Sequence, residues 1–211
     1  AANAENPASL TLAPAGTPLW QTAFGNVAPR IGIAYAIRDR SRSTLMLRMG
    51  AGIFYDLTGG FLSSQAISPP NAVTRNLNGV PFPFTAQALT PPSLPATLPF
   101  TSQTFLADPN LRTARTYQWN IALEQALGSS RSVSITYVGA QGRKLARNEV
   151  LNNPNPNFTA VLLTRSDASS DYHGLQAQFR GKFGSYFQTL ASYSWAHSID
   201  SVSADTVTTV P

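Results

Sequence analysis

Cysteine is absent from the chain, which excludes a disulfide framework and any thiolate metal site. Charge is scarce as well. Only 12% of the residues are Asp, Glu, Lys or Arg, against about a quarter in an ordinary soluble chain, so something other than ionic solvation covers much of the surface. No apolar run reaches the roughly eighteen residues of a transmembrane helix. A membrane β-barrel would show no such run either, because its lipid face is spread over alternate positions. A sustained helical period is also missing, whereas 16 Pro and 14 Gly point to turns and long irregular loops. The class expected is all-β.

The two histidines offer little chemistry. His173 lies near Asp171, and His197 near Ser198 and Asp200, but nucleophilic catalysis also needs an activated nucleophile and an oxyanion site. These groups read as polar residues at strand ends. No enzyme activity, metal or cofactor is expected, since neither grouping supplies enough ligands. Gly50-Ala51-Gly52 lacks the third glycine and the following helix of a dinucleotide loop. The net charge of +5 does not indicate nucleic acid as a partner. Arg38, Arg40 and Arg42, interrupted by Asp39, and Arg143, Lys144 and Arg147 are scattered through turns and loops rather than forming one basic face. They read as solvated turns, with contact to anionic lipid head groups as an additional role.

What the chain does have is a two-residue period. Tyr117, Trp119, Ile121 and Leu123 alternate with Gln118, Asn120, Ala122 and Glu124, and after Gly128-Ser129-Ser130-Arg131 the pattern resumes with Val133, Ile135 and Tyr137. That is a hairpin over 116–140 whose arms approach the about 9–11 residues a tilted membrane strand needs. A second hairpin spans 30–55, from Ile31, Ile33, Tyr35 and Ile37 to Leu45, Leu47, Met49, Ala51 and Ile53; a third spans 172–197, around a Gly184-Ser185 turn. Alternation alone also describes a soluble sheet with one face on a core.

The connections decide between the two. Short turns join the arms of each hairpin, while 56–115 and 141–171 read as long loops, preceded by a leading loop over 1–29 and followed by a trailing loop over 198–211. Tight turns alternating with long loops are the signature of an outer-membrane barrel, with the long loops extracellular. Tyr55, Tyr117, Trp119, Tyr137, Tyr172, Tyr193 and Trp195 fall at the long-loop ends of their strands, as an aromatic girdle at one membrane interface would. Arg48, Glu124 and Arg180 fall on the polar side of the alternation, where they would point into a lumen; on the lipid face each would cost about 2–4 kcal/mol. The architecture expected is a set of antiparallel up-and-down hairpins of a partial outer-membrane barrel with long loops.

In order, NVAPRIGIAYAI, STLMLRMGAGIFYD, RTYQWNIALEQAL, VSITYVGAQGRKL and DYHGLQAQFRGKFGSYFQTLASYSWAHSID resemble the barrel of TonB-dependent outer-membrane receptors, most of all the Oar-like group that carries a carboxypeptidase-regulatory-like domain. The resemblance implies a barrel of about 22 strands around an internal plug. It further implies a bacterial outer-membrane location, the energy-transducing TonB system as a partner, and transport of an unknown ligand at the cell surface. The chain itself shows no plug, TonB box or regulatory-like domain. Either it is a piece of a longer protein, or segments such as Phe158 to Thr164 and Ser203 to Val210 add strands to make a small free-standing sheet or barrel. In the second case open strand edges would favour a structural or adhesive role through self-association.

Overall fold

The computed structural model describes residues 2–14, 16–18, 22–56, 67, 69, 71–73, 75–94, 97–202 and 206–209. Their strands form a single sheet: β1 (Arg30–Arg38), β2 (Leu45–Asp56), β3 (Phe100–Ala107), β4 (Ala114–Ala126), β5 (Arg131–Asn155), β6 (Phe158–Phe183), β7 (Phe187–Asp200) and β8 (Thr206–Thr209). Among the described residues the named helices are a 3-10 turn at Pro7–Ser9 and α1 (Ala86–Leu89), capped by the Thr85 hydroxyl.

Six of the strands make an antiparallel meander in the order β1-β2-β4-β5-β6-β7. Its tight connections fall where glycine and polar residues allow them, at 39–44, 127–130 and 184–186; Gly128 and Gly184 both have positive φ, which glycine adopts without Cβ strain. All three hairpins of the sequence reading are present.

The connection expected over 141–171 is not a loop. β5 and β6 run on through it, 25 and 26 residues long, and turn at Pro156 and Asn157. Two slips mark where they leave the meander. On β5 an extra residue lies between Arg143 and Leu145, at Lys144 with φ 58; a compensating slip on β6 restores pairing at Arg147↔Arg165. Such slips break the two-residue period, and Pro154 sits in a further irregularity between Asn152 and Asn155. A strand containing them reads as irregular sequence.

The connection over 56–115 likewise contains a strand, β3, parallel to the outer half of β6; residues 57–66 lie outside the described set. Parallel to the outer half of β5 runs β8, within the expected trailing loop. Both segments proposed as additional strands, Phe158 to Thr164 and the described part of Ser203 to Val210, therefore do add to the sheet.

Here, beyond the meander, lies the buried core: Phe100, Leu106, Leu151, Phe158, Val161 and Leu163, closed by Ala4 and Leu10 of the leading segment. Phe100 and Phe158 meet edge to face at 6.0 Å. Buried Thr164 donates to Asn148 Oδ1 (2.8 Å), and the Asn155 amide donates to the Pro7 and Leu10 carbonyls, which ties the leading segment down.

Candidate functional site

Register sorts the meander into two faces, because residues paired across an antiparallel sheet project to the same side. One row reads Ile33, Met49, Ile121, Tyr137, Leu175, Trp195; the next, toward the tight turns, reads Tyr35, Leu47, Leu123, Ile135, Ala177, Tyr193. The opposite side reads Ala34, Arg48, Ala122, Thr136, Gln176, Ser194, and then Ala36, Met46, Glu124, Ser134, Gln178, Ser192. No protein layer covers the apolar face among the described residues: Ile31, Ile33, Tyr35, Ile121, Leu123, Ile135, Leu175, Tyr193 and Trp195 are all exposed. A contiguous apolar surface of this extent needs a non-aqueous partner.

The three charges expected together are on one face. Arg48 Nε lies 3.3 Å from Glu124 Oε2, both half exposed, and Arg180 is in register with Ser132 on the same side. Of the expected interface aromatics, Tyr55, Tyr117, Trp119, Tyr137, Tyr193 and Trp195 are on the apolar face. Tyr172 is a correction. It is in register with Ala140 and Gln118 on the polar face, where its ring packs over Gly174. In a two-residue period its neighbours Asp171 and His173 occupy the apolar side instead.

On the apolar face Tyr55 stands in the outermost β2–β4 row, then Tyr117, then Trp119, then Tyr137 with Trp195, then Tyr193, each one such row nearer the tight turns. Trp119 packs edge to face with His173 (6.4 Å), and the Tyr137 hydroxyl is 2.7 Å from His173 Nδ1. His197 is directly opposite His173. Asp171 is held by Arg143 through two contacts of 2.8 and 3.2 Å rather than by His173.

Aromatics are not confined to one end. Phe179, Phe183 and Phe187 form a ladder on the apolar face beside the β6–β7 turn, with centroids 6.4 and 5.9 Å apart, and Arg131 Cζ lies 5.2 Å from the Phe183 ring. The signal was present in FRGKFGSYF, whose phenylalanines repeat at a spacing that keeps them on one side across the turn.

Beyond the meander, Arg147 grips Asp167 at 2.6 and 2.9 Å. Arg165 Nε lies 2.7 Å from Glu149 Oε2 without hydrogen-bond alignment, while its Nη2 donates to the Ala4 carbonyl. The Arg147 guanidinium holds the Asp167 carboxyl below its ordinary value of 3.8. Among the described residues no three His, Cys, Asp or Glu side chains gather as a metal site, and no helix is long and apolar enough to cross a membrane.

Comparison with curated proteins and with solved structures finds no match. The model of one family, described as an outer membrane beta barrel domain, matches residues 2–211. Together with an open antiparallel meander, one face apolar and uncovered and the other polar, this match shows that the chain belongs to the outer membrane β-barrel domain family, whose place is the bacterial outer membrane.

Proposed function

We propose that the chain forms part of the wall of a TonB-dependent-receptor-like barrel that takes up a substrate or binds a ligand at the cell surface, without itself catalysing a reaction. The observation that carries this reading is the division of the meander into an uncovered apolar face and a face bearing Arg48, Glu124 and Arg180. In a barrel the first meets lipid and the second a polar lumen or plug. Tight turns then lie on the periplasmic side, and the β5–β6 extension with β3 and β8 stands outside the cell. The aromatics from Tyr55 to Tyr193 would mark the outer interface, the Phe179–Phe183–Phe187 ladder the inner one. Energy would come from the TonB system through other parts of the receptor, a partner suggested by the resemblance of the ordered strand blocks.

Two measurements test it. A cysteine placed at Asn157, at the extension tip, should react with a membrane-impermeant maleimide on intact cells, whereas one at Ser185 should react only after the outer membrane is opened. Cells lacking the protein should then take up at least one of a panel of oligosaccharides, metal chelates and peptides more slowly, and collapse of the proton gradient should erase the difference. Equal, gradient-independent uptake across the panel would sink the transport reading.

A further inference from the structure

We propose that the apolar side of β2 and β4, where these strands leave the meander, binds a phosphorylated lipid of the outer leaflet, with the phosphate in a cationic pocket and an acyl chain in the groove beneath it. The inference rests on the orientation given above, with the extension outside the cell.

Register places the two parts of the site one behind the other. On the apolar face Tyr55↔Arg115 is the outermost β2–β4 pair, followed by Ile53↔Tyr117 and Ala51↔Trp119. At the first pair the segment 22–28 is tied to the ends of β2 and β4, with the Tyr55 hydroxyl donating to the Val27 carbonyl and Asn26 to the Thr113 hydroxyl. Between them is a cavity of about 340 Å³ into which Arg112, Arg115 and Lys144 project with Tyr55, Asn26 and Thr113; no carboxylate lines it among the described residues. Lys144 is the bulge residue of β5, and bulges re-aim side chains. Arg115 lines this cavity and lies against Tyr117, its Cζ 5.6 Å from the ring. Charge-assisted contacts from guanidinium and ammonium groups suit a phosphate. Neighbouring Arg143 is already committed to Asp171.

The second part is an apolar groove of about 470 Å³ along Ile31, Ala51, Ile53, Tyr117 and Trp119. Trp119 lies over Gly139, where no side chain opposes it, and forms one wall of the groove. Three cations at the rim and an apolar trough at membrane depth complement an amphiphile whose head carries phosphate and whose tail is hydrocarbon. A soluble anion would use only the first.

The test uses the whole receptor in phosphatidylethanolamine nanodiscs doped with diphosphoryl lipid A or with its dephosphorylated form. Native mass spectrometry reads the lipid retained, and the heat-shifted band on gels confirms that each variant is folded. Retention of the phosphorylated form should exceed the other by about tenfold or more. Arg112→Ser with Arg115→Ser and Lys144→Ser should remove that preference; Lys144→Glu, a change confined to the rim, should weaken it. Ala51→Trp should reduce retention of both lipids. Equal retention of the two lipids, or an Ala51→Trp variant as good as the parent, overturns the proposal. So does inorganic phosphate that binds in the pocket while neither lipid is retained, which identifies a site for free anions. Maleimide labelling at Asn157 reports orientation separately, so a failure of the membrane reading is not mistaken for a failure of the lipid site.

Discussion

The indole of Trp119 occupies the space above Gly139 on the neighbouring strand: a Cβ at residue 139 would stand 2.3 Å from Trp119 Cε2. The two residues are direct partners in the β4–β5 register, so the glycine serves as a seat for the ring.

Gly139→Ala should therefore force the indole out of its seat, with a loss of about 1–3 kcal/mol from overpacking. Urea unfolding of the protein in lipid vesicles, followed by tryptophan emission, reads both effects. Unchanged emission and midpoint would show that the ring is not fixed there.

The two faces of the meander should respond oppositely to charge. Ile121→Arg, on the apolar face, should cost about 2–4 kcal/mol near the bilayer midplane. Gln176→Arg, on the polar face in register with Thr136 and Ser194, should stay within about 0.5 kcal/mol. Similar values for the two in vesicle unfolding would contradict a lipid-facing side.

Leu163 has no exposed surface, and it pairs with Leu106 and Glu149. Leu163→Ala should cost the extension about 2–5 kcal/mol. Because the meander contains none of that core, hydrogen exchange should accelerate over 144–168 and remain unchanged over 116–126. Loss of protection in both regions would mean that the two parts unfold as one.

Acid should loosen the extension through Asp167. Its carboxyl is held below 3.8 in the folded chain by the Arg147 guanidinium. A depressed carboxylate contributes stability that is present above its unfolded pKa and lost as pH falls through the folded value. Proteolysis of the extension with an acid-active protease should accelerate below about pH 4, and Asp167→Asn should already be loose at pH 6 and change less on acidification. An Asp167→Asn profile superimposable on the parent would rule out this pair as the cause.

Most of the meander was legible because its strands obey a strict period: Tyr117 to Leu123 and Val133 to Tyr137 needed only alternation and a Gly128 turn to be placed. The separation of Arg48, Glu124 and Arg180 from the apolar side followed from the same period. The extension was hidden by physical features of its own. A bulge at Lys144, a compensating slip on β6 and Pro154 inside a strand each break the alternation on which such a reading depends. β3 was hidden differently: its sequence FTSQTFLA alternates poorly, and its partner on β6 lies far along the chain. Tyr172 shows the limit at single residues, since an aromatic near a strand end is assigned to a face only by counting register from a paired neighbour.

The extra residue at Lys144 has a mechanical meaning. Arg143 shares a face with Tyr55 and Asp171, but past the bulge Leu145 lies against Gly142, on the side of the polar face. Counting on from there, Leu151 and its partner Val161 continue that side. Without the slip, Leu151 and Val161 would fall on the same side as Tyr137 and Leu175. With it, a single ribbon changes sides midway: the exposed apolar row of its inner half and the buried Leu151 and Val161 of its outer half lie on opposite faces of one continuous strand pair.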